Sequence, residues 1–234
     1  MTDYLIRSVK TLQKKQASQT INLFWCFSYN SLHQKMRRSG TIKTSLFILF
    51  QFIVIMASAK TEEQKYKVVR SEKQFEIRFY PSATLATVYT SAKSYRELAN
   101  PGFRKLAGYI FGNNSSETKI SMTAPVHMEI SPSGSTMSFV MPSAYNADNL
   151  PSPNDKEVKI EKSQDEYFAV ISFSGYASDE DIKKYSDKLK DLLTETGISY
   201  YGNFRFLGYD PPFRPFFRRN EIIVAVRWDN NIAG

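Results

Sequence analysis

"FEIRFYPSATLATVYT", residues 75–90, decides the fold class. Phe75, Ile77 and Phe79 alternate with Glu76, Arg78 and Tyr80, the period of a half-buried strand. Pro81 ends that run, and 83–90 reads as its antiparallel partner. Downstream, Asn100-Pro101 fits a helix N-cap followed by proline at the first helical position. Phe103, Leu106, Ala107, Ile110 and Phe111 then recur at helical spacing, and Gly112 can close a helix over 101–111. Strands follow near 119–130 and 136–141.

The same order then returns. Residues 158–162 and 167–174 have strand patterns, and Ser178–Asp181 is a capping box. Ile182, Tyr185, Leu189, Leu192 and Leu193 line one face of a second helix that Gly197 ends. Strands at 204–209 and 221–226 complete the set. An offset of 83 residues lays Ile77 on Ile160, Val88 on Ile171 and Phe139 on Ile222. The expectation is an α+β domain: a distorted β-barrel of about eight strands from a duplicated ββαββ unit, with two helices packed on one core.

Charge separates this domain from what precedes it. Residues 1–60 hold nine Lys/Arg and one acid, Asp3, whereas 61–234 hold 22 of each sign. The net charge of +8 therefore lies outside the folded part, which argues against a nucleic-acid partner. Residues 44–59 carry no charge and are too few to span a bilayer comfortably. With Arg37, Arg38 and Lys43 before them and Ala57-Ser58-Ala59 at their end, residues 36–59 read as a signal peptide or short anchor. Residues 1–35 then read as an upstream extension or part of an organellar transit sequence. The domain would occupy 60–234 and be exported or membrane-anchored, touching a membrane only through 44–59 if they are uncleaved; a start at Met56 would make it cytoplasmic instead.

The sole cysteine, Cys26, lies in that leader. This removes disulfides, thiolate ligands and a Cys nucleophile from the domain. The domain has no phosphate loop, no G-x-S-x-G elbow and no metal-ligand cluster, and a hydrolytic triad would have to use His127. The chain is read as a binding protein and not an enzyme.

"KYKVVRSEKQFEIRFYPSATLATV", "KISMTAPV", "MSFVMPSAY", "FSGYASDEDI" and "GYDPPFRPFFRRNEIIV" together resemble the SOUL haem-binding family, from about Tyr66 to Val226. The resemblance implies a two-helix distorted barrel built by duplication. It also implies non-covalent binding of haem or another tetrapyrrole by a carrier or buffer, with no fixed axial ligand.

A macrocycle with two carboxylates at one edge needs an apolar slot rimmed by cations. Two segments have that composition. The first helix sets Phe103, Ala107 and Phe111 beside Arg104 and Lys105; the loop "YDPPFRPFFRR" sets Phe213, Phe216 and Phe217 beside Arg214, Arg218 and Arg219. The family's cleft uses the equivalents of this helix and loop. By that resemblance Phe103, Ala107 and Phe213 would touch the ring, and Lys105 and Arg214 would face the carboxylates. Core packing of the helix residues, and ion pairs that pin the loop, are the competing readings.

His127, within "ISMTAPVHME" (120–129), is the obvious iron ligand by type. Strand parity argues against it: Val126, Met128 and Ile130 share the apolar face, and His127 shares the other with Glu129, expected to meet solvent. The runner-up function is a small-molecule effector module of the same architecture, binding amphipathic cations between the repeats. An acidic residue buried in that cleft would favour it, with Glu129 and Glu221 the ones to check.

Overall fold

The computed structural model describes residues 61–211, 214 and 216–228; the leader and Phe213 lie outside the described residues. The elements are β1 (Glu62–Glu63), β2 (Lys67–Ser71), β3 (Glu76–Tyr80), β4 (Thr84–Thr90), α1 (Tyr95–Ile110), β5 (Thr123–Ala124), β6 (Val126–Glu129), β7 (Ser135–Val140), β8 (Val158–Lys162), β9 (Glu166–Phe173), α2 (Asp179–Glu195), β10 (Tyr200–Gly208) and β11 (Asn220–Val226). Nine strands form one antiparallel sheet in the order β2-β3-β9-β11-β10-β6-β7-β4-β8, and β1 pairs separately with β5.

That order carries the duplication. Matching β3 with β8, β4 with β9, β6 with β10 and β7 with β11 reverses the eight-strand sequence onto itself. A pseudo-two-fold axis therefore runs between β6 and β10, where Leu207 faces His127. Each repeat lends its first strand to the other: β3 pairs with β9, and β4 with β8. The two connecting segments meet at the crossing. Asp165 accepts from the Ser82 N–H at 2.6 Å, and Ser163 N–H donates to the Ala83 carbonyl at 2.9 Å.

This exchange corrects the local reading of 75–90. β3 and β4 are not a hairpin; Pro81 gives up a ladder N–H, and both strands find partners across the pseudo-axis. The barrel expectation is also corrected. The ladder runs from β2 to β8 and does not join those two edges, so the architecture is an open nine-stranded sheet. The ninth strand, β2, lies outside the repeats and covers the edge of β3.

α1 begins six residues before the expected Pro101. Ser94 is its N-cap, accepting from Glu97 N–H at 3.2 Å, and the Glu97 carboxylate reaches back to Lys93 N–H. Pro101 sits inside the helix at an exposed position, where the carbonyl it leaves unpaired is within reach of water. α2 starts at the expected Ser178 cap. Its first residue, Asp179, accepts from Tyr95 N–H and ties the two helix starts together.

The two sheet faces differ. One buries Ile77, Val88, Phe139, Ile171, Ile222 and Val224 under Leu106, Ile110, Leu189 and Leu193 of the helices. Each such side chain contributes roughly 1.5–3 kcal/mol by leaving water. The opposite face holds a smaller cluster, Tyr80, Phe168, Val170, Leu207, Ile223 and Ala225, capped by Tyr66 and Tyr209. Alternation along β11 serves both: Ile222 and Val224 face the helices, Glu221 and Ile223 the other side.

Candidate functional site

α1 does not bury its whole apolar set. Leu98, Leu106, Tyr109 and Ile110 are in the core, but Phe103 remains 38% exposed and Phe111 63%. Phe103 rests edge-on against Phe139 with centroids 5.3 Å apart. Phe103, Ala107 and Phe111 are spaced by four and so share one line along the helix. Between the two rings the floor is low: Ala107 is small and buried, as the core-packing reading expects, and a Cβ added at Gly108 would meet nothing within 4 Å. The result is a shallow apolar seat spanning about 12 Å of helix. Arg104 flanks it, exposed. Lys105 is half-buried and paired with Glu157. Its ammonium is thus already engaged, though a pair this exposed is cheap to exchange.

The arginines of the 209–219 loop mainly hold the loop. Arg214 pairs with Asp210 at 2.6 Å, and Asp210 also accepts from Arg219 N–H. Arg218 donates to the carbonyls of Asp210, Pro211 and Arg214 and lies over the Tyr176 ring at 4.6 Å. Arg219 joins Glu221, Glu63 and the Tyr66 hydroxyl. Phe216 and Phe217 stand 72% and 91% exposed, Phe217 with a positive φ of 56°. The loop base reaches the start of α1: the Arg218 charge acts on Tyr95, whose pKa is nevertheless raised, burial being the larger effect. The side chains expected at the ring edge, Lys105 and Arg214, are therefore each tied to a carboxylate. Arg104 has the better claim, which sequence spacing gave no means to rank.

Parity places His127 as expected, away from the helices, while Met128 is buried in the main core and Met122 packs against it. The face it occupies is half-covered, where an open one was expected. The N-terminal segment crosses it: Gln64 N–H donates to the Ala124 carbonyl, and the Gln64 amide oxygen lies 2.8 Å from His127 Nε2. Burial, with a smaller push from Arg205, lowers the His127 pKa to about 3. It stays neutral while an unfolded His binds a proton below about 6.5. Stability should thus fall as pH drops through the window from about 6.5 to about 3. Urea midpoints compared near neutrality and at about pH 5 should show a larger loss for the parent than for His127→Gln, approaching but not exceeding ~1.4 kcal/mol per pH unit. Identical losses would mean that His127 titrates normally.

Glu221 is wholly buried on the same face. Arg78 meets both its oxygens at 3.0 and 3.1 Å, Arg219 donates from Nε and Nη2, and Ser172 and Tyr209 donate hydroxyls. Burial alone would lower the Arg78 pKa, but Glu221, Tyr80 and Glu76 together more than offset it, and the net direction is up. Tyr80, pushed up to about 12 by burial and by Glu221, stays protonated. Arg78 lies over the Tyr66 ring at 4.2 Å. An aromatic, acidic cage is present, but the chain's own guanidinium fills it. Glu129 is likewise met by Arg205 and Asn203. Neither carboxylate is left uncompensated for a foreign cation.

Two cavities accompany these features. One of about 350 Å³ lies between Glu62–Lys65, Pro81–Thr84 and the end of β7. Another of about 270 Å³ lies between Ile182 and Ser186 of α2 and Phe204 and Phe206 of β10. Both are at or below the small end for ligand pockets, and neither includes the α1 seat.

Comparison with known proteins bears on this geometry. A family model described as SOUL heme-binding protein matches residues 61–225. Heme-binding protein 1 of Xenopus laevis is 31% identical over 156 residues, covering 63% of this chain and 81% of that protein. Heme-binding protein 2 of Mus musculus is 32% identical over 156 residues, covering 63% and 76%. Among solved structures, the EcmrR C-terminal domain superposes with a TM-score of 0.54 at 8% identity, covering 67% of this chain and 98% of that one. That likeness is one of fold.

Proposed function

Because the chain belongs to the SOUL heme-binding protein family, we propose that it binds haem or a related tetrapyrrole non-covalently on the exposed face of α1 and acts as a carrier or buffer. The observation that carries this reading is the pair of rings Phe103 and Phe111, left open over the buried Ala107 and beside Arg104 and Lys105. A flat apolar ring supplies what two half-exposed phenylalanines lack, and its carboxylates suit a cationic rim. Ring stacking and rim charge bind it; no side chain of the seat offers iron a ligand. His127, whose Nε2 faces Gln64 on the other side of the sheet, is not assigned that role. Phe216 and Phe217 present further exposed apolar surface on the loop. The cation-effector alternative has less support, since Arg78 occupies the cage at Glu221. No helix among the described residues is long and apolar enough to cross a membrane, and export or anchoring through residues 36–59 remains part of the proposal.

The rim gives the test. Arg104→Ala with Lys105→Ala should weaken haemin binding about tenfold, because an exposed and a half-buried charge, both screened by water, contribute modestly. Binding would be read from the Soret band. Added salt should narrow the gap, and a porphyrin with esterified carboxylates should scarcely distinguish variant from parent. Equal losses for haemin and the ester would place the carboxylates elsewhere.

A further inference from the structure

The turn after α1 reads "GNNSSET", residues 112–118, and contains two overlapping N-glycan acceptor sequences, Asn113-Asn114-Ser115 and Asn114-Ser115-Ser116. The fold treats them differently. Asn114 is 1% exposed. Its amide nitrogen donates to the carbonyls of Tyr109 at 2.9 Å and Thr118 at 2.8 Å, which uses both hydrogens. Its amide oxygen accepts from the N–H groups of Ser116 and Thr118. Asn114 is the internal brace of the turn. Asn113 is exposed and tied through its backbone: its N–H closes the helix end on the Gly108 carbonyl at 2.9 Å, and its carbonyl accepts from Asn154 N–H. Its side chain is exposed, and the bonds of that frame use only its backbone.

We propose that the folded protein carries an N-glycan on Asn113 and none on Asn114, a reading that rests on the export of the chain proposed above. In the transfer, Asn113 Nδ2 forms a bond to C1 of an oligosaccharide carried on a lipid diphosphate. The C1–oxygen bond to the diphosphate breaks, the lipid diphosphate leaves, and the amide gives up one proton. Transfer precedes folding, so selection acts afterwards. A glycan on Asn114 would replace a hydrogen donated to a buried carbonyl and would need space inside the turn, and such chains fail to fold. A glycan on Asn113 stands in water, two residues beyond exposed Phe111, at one end of the α1 seat.

The experiment expresses the full chain in cultured animal cells in two versions, one with its own N-terminus and one preceded by a cleavable signal peptide. Secreted protein is treated with peptide-N-glycosidase, and the modified asparagine is located by the deamidation that the enzyme leaves. One glycan is expected, at Asn113. Ser115→Ala should abolish it, whereas Ser116→Ala should retain it. A glycan persisting in the secreted Ser115→Ala variant, or none on the signal-preceded parent, would overturn the proposal. Retention of the own-N-terminus version in the cytosol, with Asn113 modified in the other, would overturn the export reading and leave the acceptor assignment standing.

Discussion

Glu221→Ala should be the most damaging single substitution in the domain, costing roughly 3–5 kcal/mol of stability. The change removes the carboxylate that Arg78 meets at two points, and Arg78 is itself only 5% exposed. The guanidinium is then buried without its counter-charge, and the hydroxyls of Ser172 and Tyr209 lose an acceptor. Arg219 suffers less, because it is partly exposed and keeps Glu63. With a urea dependence of about 2 kcal/mol per molar, the midpoint should fall by about 1.5–2.5 M. Arg78→Met with Glu221→Leu should recover most of the loss, since the uncompensated charge is gone and the surrounding cluster is apolar. A double variant no more stable than Glu221→Ala would mean that the network contributes through its hydrogen bonds and not through charge balance.

That network also explains what the sequence did and did not disclose. Strand and helix periods gave both repeats, because each repeat buries one face on a shared core. The pairing of strands was not readable. Alternation in 75–80 and 83–90 says that each strand has a buried face, and says nothing of which neighbour completes its ladder. The start of α1 was misplaced because Asn100-Pro101 is a valid start signal, and Ser94-x-x-Glu97 is another; the cap with the reciprocal bond to Lys93 prevailed. His127 was assigned the right face and the wrong surroundings. Parity fixes direction along a strand, but the cover that Gln64 provides comes from a segment 63 residues away. At the site, residue types and spacing pointed to the helix and the loop, and the family resemblance picked out Phe103, Ala107 and Lys105 on the helix. They did not reveal that Phe111 is the more exposed ring or that Lys105 is held by Glu157.

The seat on α1 carries the account, and removing its two rings has the second large expected effect. Phe111 makes little use of the core, and Phe103 leans on Phe139 only by its edge. Phe103→Ala with Phe111→Ala should therefore leave the domain folded, at a modest cost from the Phe103 contact. Each ring covering about 50 Å² of macrocycle contributes about 1.3 kcal/mol, so losing both should weaken binding roughly a hundredfold. The loss should be the same for haemin and for iron-free porphyrin, and should respond little to salt, because it removes apolar contact and no charge. The direct measurement is a paired titration of parent and double variant with haemin, followed at the Soret band, after urea unfolding has shown both to be folded. The account predicts parallel curves displaced by about two decades of ligand concentration. Superimposed curves would contradict it and remove α1 as the binding face.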